Sequence, residues 1–585
     1  MAQRAFTSHP LVVRRVTVRR IEEITPRMRR IVVGGEALGE TVVDGHTHRT
    51  FAAPGFDDHI KLIFASDDDL ESALPIQLPH GIEWTAAENR LARDYTPRWV
   101  DAAAGEMALD FVLHGDGPAA TWAQSAAPGD DLCFVGPKSS LRLPQELDWI
   151  VLIADETGLP AVGRFLDERP TDAVAHVLVV VEEETAQQEL NLREGDTVTW
   201  ATAPAGDAAA LEAAVRALVL PEDGAGYAWA AAESRALLPV RRYLQRERGL
   251  AKERINITGY WHAETVSEGA DAAEHALPPV SEPASPVPWL VVRAAVRLGI
   301  VDALAEGPLS VRDLAARLGV AARSIEALRG LLASAEVVIG DAESLALGRF
   351  GEDLLEEHHR EEFDGLEAEA VLALRDLDHA LRDGVSPWER ANGATLATQA
   401  QSDAAHVEEL IEDAGRLAYL LDGFVADPMW QDVSSLLVVG PGAPAVLGAF
   451  EDGGRGGIGV ALHEHGRVRD AVVEAVGQDP SAGWTGRLVD VAVLALALAH
   501  RTDAEAVDLL DELAPHAARV ILLESSRPDA LSPGVEEQQV IGFAMTGAPF
   551  RSSEALGELA AAAGWTTEQV QPLGWGIEAT FLVRA

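Results

Sequence analysis

The segment from Arg93 to Trp122 constrains the fold most strongly, because two extended runs there are followed by a glycine turn and a helix. The first run places an arginine, a tyrosine and a hydroxyl side by side, at Arg93, Tyr95 and Thr96. The second run, Phe111-Val112-Leu113-His114, breaks into a Gly-Asp-Gly-Pro turn before a helical stretch. Proline is favoured in the first turn of a helix, so the pattern predicts a strand that leads directly into a helix start.

The residue types in this segment indicate a ligand that carries both a flat ring and a phosphate. An aromatic ring such as Tyr95 can stack on a heteroaromatic ligand, and the Thr96 hydroxyl can bond a ring heteroatom. Free N–H groups at a helix start bind pyrophosphate, and Arg93 can add a forked charge-assisted contact. Each half alone is also typical of a packed tyrosine or of an ordinary strand-turn-helix. Both halves in this order favour a flavin-nucleotide site.

The same residues resemble a known family. Arg93-Asp94-Tyr95-Thr96 resembles the R-x-Y-[ST] flavin motif of the ferredoxin-reductase superfamily, and HGDGPAATWA, starting at His114, resembles the siderophore-interacting proteins, which are FAD-dependent ferric-siderophore reductases. The resemblance covers residues 10 to 264 and implies an FAD cradle. It implies that Arg93, Tyr95 and Thr96 hold the flavin and its phosphates. The remaining residues of the implied cradle are His114, Gly115, Gly117, Pro118, Ala119 and Trp122.

Composition excludes several classes of function. A chain of 585 residues predicts several domains, since single cores rarely exceed about 250–300 residues. The formal net charge is −46 and lysine occurs only at Lys61, Lys138 and Lys252, which argues against binding to nucleic acid or to an anionic membrane. The single cysteine, Cys133, excludes an intrachain disulfide and a cysteine-cluster metal site. There is no apolar run of transmembrane length, so we expect a soluble cytoplasmic protein. We also expect no resident metal.

Residues 10–142 read as short strands with glycine turns, which predicts a β-barrel flavin domain. Residues 146–264 alternate strands and helices, which predicts a parallel sheet that binds its ligand at the carboxyl ends of the strands. The turn from Asp155 to Pro160 lacks a Gly-x-Gly-x-x-Gly fingerprint but resembles the nicotinamide-binding turn of siderophore-interacting proteins. That resemblance implies that Asp155, Thr157 and Pro160 line an NAD(P)H site. Trp261 would lie near the flavin or nicotinamide, or pack against the barrel.

Three consecutive glutamates, Glu182 to Glu184, end the second predicted strand of this sheet. A ribose 2′-hydroxyl is often bound at that position. Carboxylates there would oppose a 2′-phosphate, which favours NADH over NADPH. A solvated acidic loop would have the same composition, so the donor stays open.

The second half follows a proline-rich linker, residues 265–287. Residues 288–430 read as helices at Trp289–Leu304, Leu309–Ala315 and Ser324–Leu332, with Ser310 as a cap, followed by a short wing at Val337–Ile339. This winged-helix pattern would suit DNA, but its surroundings are acidic and no basic strip is present. The stretch Ala295 to Val320 instead resembles the dimerisation domain of small-molecule O-methyltransferases, which implies a homodimer.

Residues 431–585 resemble the Rossmann-like domain of the same methyltransferases, with departures at the positions that matter chemically. Val438 stands where an acidic residue belongs, and Pro444 replaces a glycine of the S-adenosylmethionine loop and removes an N–H. Glu464 stands near the expected ribose-binding acid, and His500 is one position out of register with the expected base. The sequence therefore predicts a methyltransferase-like half that does not methylate.

The sequence predicts a multidomain protein. It combines a ferredoxin-reductase-like β-barrel and α/β pair with a winged-helix-like helical domain and a Rossmann-like α/β domain. Its predicted function is reduction of ferric siderophores by NAD(P)H through FAD, with no side chain required as a general acid or base. The alternatives are a bifunctional reductase and active methyltransferase, and a non-enzymatic protein that binds flavin and siderophore.

Overall fold

The computed structural model describes residues 6–43, 46–67, 69–79, 81–113, 117–262, 285–477, 479–480, 488–527 and 534–585. His114 and Gly115 of the predicted cradle, and most of the predicted linker, lie outside these residues. Within the described part of the chain, no helix is both long and apolar enough to cross a membrane.

The first part of the chain is mainly β, as predicted. Seven of its strands form one antiparallel sheet in the order β10-β11-β3-β2-β12-β6-β9. Its strands are β1 (Phe6–Ser8), β2 (Val13–Thr25), β3 (Met28–Gly34), β4 (Thr41–Val43), β5 (His46–His48), β6 (Ile60–Ala65), β7 (Ile76–Gln77), β8 (Ile82–Glu83), β9 (Arg90–Tyr95), β10 (Pro97–Asp101), β11 (Glu106–Val112), β12 (Asp131–Val135) and β13 (Ser139–Leu141). Its helices are α1 (Leu70–Ala73) and α2 (Pro118–Ser125). Cys133 is buried in β12, as its apolar neighbours predict.

A five-stranded parallel sheet follows, in the order β16-β15-β14-β17-β18. Its elements are β14 (Trp149–Ala154), α3 (Leu159–Glu168), β15 (Val174–Val181), β16 (Thr197–Thr202), α4 (Ala208–Ala217), β17 (Gly226–Glu233), α5 (Leu237–Arg242) and β18 (Ile255–Trp261). Glu233 ends β17, and its Oε2 accepts a hydrogen bond from the Ala236 N–H at 2.8 Å just before α5 begins. The last turn of this helical segment, Tyr243–Glu247, is π-helical.

The second half begins with helices. They are α6 (Val287–Leu298), α7 (Ile300–Ala305), α8 (Val311–Leu318), α9 (Ala322–Ser334), α10 (Arg349–Asp353), α11 (Glu357–Asp364), α12 (Leu366–Ala373), α13 (Leu377–Asp383), α14 (Pro387–Asn392), α15 (Leu396–Ala400), α16 (Ala404–Ala414) and α17 (Leu421–Ala426), with the hairpin β19 (Val338–Gly340) and β20 (Leu345–Leu347) after α9. The single helix expected over Trp289–Leu304 is wrong. Gly299 adopts a φ of 77°, a left-handed conformation that ends α6 before α7 begins.

A six-stranded sheet closes the chain, in the order β22-β21-β23-β24-β26-β25. Four of its strands pair in parallel with one another, while β26 runs antiparallel to both of its neighbours, so that β25 has the same direction as those four. Its elements are β21 (Ser435–Val439), α18 (Ala443–Asp452), β22 (Gly459–Leu462), α19 (Gly466–Val476), β23 (Val489–Ala495), α20 (Asp503–Leu513), β24 (Ala517–Ser525), α21 (Val535–Thr546), α22 (Ser553–Ala562), β25 (Trp565–Gly574) and β26 (Ile577–Arg584).

The two halves of the chain touch through aromatic side chains. Tyr419 of the second half stacks on Phe6 of the first half with ring centroids 5.3 Å apart. The Trp575 ring, also in the second half, lies 5.7 Å from Tyr419. Lys138 Nζ lies 4.9 Å from the centroid of the Tyr419 ring. An ion pair of 2.6 Å between Arg527 and Glu83 adds to this contact. The second half therefore packs directly on the β-rich part.

Candidate functional site

The two motifs that predicted a flavin site meet in the structure through a row of aromatic rings. Tyr95, at the end of the edge strand β9, lies against Phe111 of β11 with ring centroids 4.5 Å apart. Phe111 in turn lies 5.6 Å from Trp122 of α2. The strand that carries Arg93 and Tyr95 is thereby fixed beside the helix that follows the glycine turn.

The start of α2 has the properties of a phosphate site. Gly117 precedes the helix with no side-chain cap, and Pro118 occupies its first position. Ala119 is buried, so its small side chain lets the first turn pack closely on the sheet. Uncapped N–H groups at a helix start attract anions. The exposed Arg93, which has no acidic partner among the described residues, supplies a positive charge on the adjacent strand.

Thr96 connects the parallel sheet to β9, the flavin strand, which carries Arg93 and Tyr95. Its side chain is buried, and its Oγ1 lies 3.5 Å from the hydroxyl of Tyr260 on β18. Burial raises the pKa of Tyr260 above its ordinary value, which keeps this phenol protonated. The hydroxyl predicted to face the ligand is thus also a contact between the two sheets.

Asp155 is the centre of the predicted nicotinamide turn. Its Oδ1 accepts hydrogen bonds from the Thr157 N–H at 2.8 Å and from the Thr157 hydroxyl at 2.6 Å. Its Oδ2 accepts from the Trp261 indole N–H at 2.7 Å and from the Glu233 N–H at 3.1 Å. Burial raises the pKa of Asp155, and these donors oppose the rise. The Asp155 carboxyl therefore ties the ends of β14, β17 and β18 together rather than projecting as a free ligand group.

A cavity opens at the carboxyl ends of the five strands of this sheet, where ligands bind in open α/β folds. Asp155, Thr157 and Trp261, three of the four residues predicted for the nicotinamide site, lie in its lining. Pro160 is instead buried in the first turn of α3. The full lining is Arg27, Val112, Asp155, Glu156, Thr157, Val180, Val181, Glu182, Ala203, Pro204, Ala205, Gly206, Asp207, Leu211, Ala232, Glu233, Ala236 and Trp261.

Glycine is required at the turn beside this cavity. A Cβ on Gly158 would lie 2.6 Å from the Ala231 carbonyl oxygen, closer than side-chain atoms approach a backbone in proteins. Across the cavity, Gly206 has a φ of +75°, a conformation that other residues adopt at a cost. Gly206 thus lines the cavity directly, and Gly158 lets the neighbouring turn pack closely on β17.

Sequence reasoning missed the charged cluster at the mouth of the cavity. Arg27, from the turn between β2 and β3, contacts Glu156 at 3.0 Å and Glu182 at 2.7 Å. The Glu156 Oε1 also accepts the Glu182 N–H at 3.1 Å. One of the acids expected to repel a 2′-phosphate is therefore neutralised by an arginine more than 150 positions earlier in the chain. No local pattern around Arg27 indicates this pairing.

Asp58 is a buried acid in the loop that packs between the two sheets. Its Oδ2 accepts hydrogen bonds from the Ser140 hydroxyl at 2.7 Å and the Gly55 N–H at 2.8 Å. Burial raises the pKa of Asp58 to about 7. The pKa of an aspartate in the unfolded chain is about 3.9. Between this pH and about 7, the folded state therefore holds a proton that the unfolded state lacks. Stability is therefore expected to fall as pH rises through this window.

We expect Asp58→Asn to remove this pH dependence, on the order of 2–4 kcal/mol across the window, because an amide does not ionise. Chemical denaturation of both proteins from about pH 4 to about pH 8 measures the difference. Asp172→Asn, at an exposed position, is the matched control. Parallel curves for the Asp58 variant and the unmodified chain would contradict the assignment.

The second half holds another candidate site after β21. Val438 is fully buried in the sheet, and the N–H of Gly440 donates to Glu464 Oε1 at 2.6 Å. Pro444 occupies the first turn of α18, beside Gly442. The acid that was expected to contact a ribose is thus bonded to the loop itself, and burial raises its pKa.

His500, the expected position of a methyltransferase base, is buried beneath two arginines. The Arg501 Nη1 lies 3.0 Å from His500 Nε2. Burial, Arg501 and Arg551 keep the pKa of His500 well below its usual range. Nearby, Glu524 accepts the Leu498 N–H at 2.7 Å, and burial raises its pKa to about 7. A base needs contact with its substrate, and this imidazole is only 3% exposed.

Comparisons with known proteins match the first half of the chain. The profile of the siderophore-interacting FAD-binding domain matches residues 17–141, and that of the siderophore-interacting protein matches residues 147–264. The NADPH-dependent ferric-chelate reductase of Escherichia coli K12 is 34% identical over 253 residues, which are 43% of this chain and 93% of that protein.

Solved structures are similar to each half. A siderophore utilization protein from T. fusca is 35% identical with a TM-score of 0.40, covering 47% of this chain and 100% of its own. The O-methyltransferase NcsB1 from neocarzinostatin biosynthesis is 19% identical with a TM-score of 0.41, covering 54% of this chain and 100% of its own.

The sequence identity to the reductase extends over nearly the whole of that relative, and both profiles match in the order in which the two sheets occur. The flavin-binding profile includes the strand of Arg93 and the helix of Trp122, while the second profile includes the cavity turn at Asp155. Through residues 17–264, the chain belongs to the siderophore-interacting protein family.

Proposed function

We propose that the protein is an FAD-dependent ferric-siderophore reductase that takes electrons from NAD(P)H. The observation that carries this proposal is the junction of the two flavin motifs through Tyr95, Phe111 and Trp122, next to a sheet whose cavity suits a nucleotide. The E. coli relative, named as an NADPH-dependent ferric-chelate reductase, supports the same reaction class.

The residues present fit an FAD molecule. We assign the pyrophosphate to the uncapped start of α2, with Arg93 as the neighbouring cation. Tyr95 and Thr96 would hold the flavin ring, and His114 and Gly115, also assigned to this cradle by the family resemblance, lie outside the described residues. When bound, FAD supplies the exchange between a two-electron donor and the one-electron acceptor Fe(III).

The protein's own residues would bind and orient rather than move protons. Asp155 holds Thr157, Glu233 and Trp261 in place around the nucleotide cavity, so that the donor approaches in one orientation. The Thr96–Tyr260 contact fixes the flavin strand relative to that cavity. Ferrous iron binds the hard oxygen ligands of a siderophore more weakly than ferric iron does. Reduction of the bound ion therefore releases the iron from the siderophore.

The proposal is tested on the purified full-length protein by absorbance spectroscopy under argon. We expect oxidised-flavin bands that bleach when NADPH or NADH is added and return when a ferric siderophore follows, with Fe²⁺ appearing in a ferrous chelator. A preparation that takes up no flavin on reconstitution would contradict the cradle. Flavin that neither nucleotide reduces would contradict the electron donor and favour a binding function.

Arg27 is expected to set the choice between NADPH and NADH. Arg27→Ala leaves Glu182 and Glu156 without their counterion at the cavity mouth, which disfavours the extra phosphate of NADPH. We expect kcat/KM for NADPH to fall at least about 10-fold relative to that for NADH, since one charged contact contributes more than about 1.4 kcal/mol. Arg20→Ala, which removes surface ion pairs on the neighbouring strand β2, is the control. An equal change for both nucleotides would contradict this role.

For the second half we propose a methyltransferase-like dimerisation or regulatory module that does not methylate. The support is the pairing of Glu464 with the Gly440 N–H and the burial of His500. Calorimetric titration of the full chain with S-adenosylmethionine is expected to give no heat of binding; saturable binding would favour the bifunctional alternative. The division into residues 10–142, 146–264, 288–430 and 431–585, the winged-helix identity of the third part and the homodimer remain part of this proposal.

A further inference from the structure

Two histidines and a glutamate gather at one edge of the last sheet, away from the flavin and nucleotide sites; the two histidines flank Glu464. His463 and His465 follow the end of β22, and Glu512 lies in the last turn of α20. The Glu512 Oε1 is 3.2 Å from His463 Nε2 and 3.9 Å from His465 Nε2. One donor atom from each of the three side chains lies within 4.8 Å of the other two.

We propose that His463, His465 and Glu512 form a binding site for one divalent first-row transition-metal ion such as Zn²⁺. Metal–ligand bonds of about 2.0–2.1 Å place the donor atoms of a tetrahedral ion about 3.3 Å apart. The His463–Glu512 distance already matches this spacing. The His465 Nε2 atom lies 3.9 Å from Glu512 Oε1, so the His465 side chain has to move closer to complete the set.

The elements that carry these residues combine a rigid part with an adjustable one. The His463 side chain is only 9% exposed, and its backbone N–H donates to the Val438 carbonyl at 3.0 Å, which fixes it at the end of the sheet. The His465 side chain is 72% exposed and free to reorient. Glu512 is carried by a helix whose start is fixed by a capping box between Thr502 and Glu505.

The donor set selects the class of ion. Imidazole suits zinc, iron, nickel and copper, whereas magnesium and calcium prefer oxygen ligands alone. With two imidazoles and one carboxylate, the site favours transition metals and leaves the remaining coordination positions to water, since Glu512 and His465 face solvent. His516 lies beside the site, with its ring centroid 5.9 Å from that of His463.

The proposal is independent of the reductase function, since no residue of the flavin or nucleotide sites takes part. The test uses full-length protein without a polyhistidine tag, titrated calorimetrically with Zn²⁺ and, in parallel, with Co²⁺ while its ligand-field absorption is recorded. We expect one ion per chain, ligand-field bands of low-symmetry Co²⁺, and no binding of Mg²⁺ under the same conditions.

His465→Ala is the primary variant, because this exposed side chain can be removed without disturbing a core. It is expected to weaken Zn²⁺ binding at least about 10-fold, as is Glu512→Gln. His379→Ala, at an exposed histidine on α13, is the matched control and should leave binding unchanged. His463→Ala is compared by thermal unfolding with and without Zn²⁺, where the ion is expected to stabilise only the unmodified chain.

Two outcomes would overturn the proposal. One is the absence of saturable Zn²⁺ binding by the unmodified chain, which would identify the cluster as an ordinary histidine–glutamate ion pair. The other is binding that survives unchanged in the combined His465→Ala and Glu512→Gln variant, which would assign the ion to another part of the protein.

Discussion

Asp155→Ala is expected to abolish reduction of the flavin by NAD(P)H, with kcat/KM falling more than about 100-fold. Four hydrogen-bond donors converge on this carboxyl, from Thr157 twice, Glu233 and Trp261. Each donor left unsatisfied in a buried site costs about 1–3 kcal/mol. Their loss would separate the strand ends that form the cavity and release the Trp261 ring from its orientation.

The effect of Asp155 is separated from general damage by measuring bound flavin and reduction rate on the same samples. The flavin residues lie on β9 and α2, so FAD content should stay near that of the unmodified protein while stopped-flow reduction is lost. Thr157→Ala removes one side-chain donor only and should give a smaller loss, about 10-fold or less. A fully active Asp155→Ala protein would show that this carboxyl does not organise the nucleotide site.

Trp229→Ala is expected to produce the largest loss of stability, about 3–5 kcal/mol, because it empties a large side-chain volume in the core. Trp229 is 1% exposed on β17, with the rings of Phe56 at 5.5 Å and Tyr260 at 6.3 Å. Its indole N–H donates to Asp57 Oδ2 at 3.0 Å. The truncation therefore removes apolar contacts and also takes a donor from an acid whose pKa burial already raises.

We expect Trp229→Ala to slow the reaction as well, because Trp229 packs between the β-rich part and the parallel sheet. Loss of this contact should loosen the flavin strand relative to the nucleotide cavity, lowering both the unfolding temperature and the rate of flavin reduction. Trp229→Phe keeps the ring but not the N–H and should recover most of the stability, since a single neutral hydrogen bond contributes about 1 kcal/mol. Trp99→Ala, on the partly exposed edge strand β10, is the control. Equal unfolding curves for the Trp229 and Trp99 variants would contradict the argument.

Much of the fold was predictable from local pattern. Runs of apolar residues such as Trp149–Ala154 and Val174–Val181 are fully consistent with buried parallel strands, and the structure has them with the expected helices between. Ser310 predicted the start of α8 because its hydroxyl accepts the Asp313 N–H. Periodicity failed at Gly299, where one φ of 77° divides a continuous apolar pattern into two helices.

The candidate flavin residues were also local in origin. Arg93 to Thr96 and Gly117 to Trp122 are motifs whose spacing is fixed within one strand and one strand-turn-helix unit. What the motifs did not contain is the packing of Tyr95 on Phe111 that joins them, which depends on how β9 and β11 curve around a shared core.

The sequence by itself determined the strands, the helix starts and the motif residues, because these depend on neighbours a few positions apart. Only the tertiary structure decided that Arg27 neutralises Glu182 and that the Asp155 carboxylate accepts four hydrogen bonds. The same is true of the position of His463, His465 and Glu512 at one edge of the last sheet. Apart from the Asp155–Thr157 contact and the two neighbouring histidines, those contacts join residues separated by 47 to 155 positions. Their energies come from burial and charge at short range, and a linear pattern does not encode which distant side chains will meet.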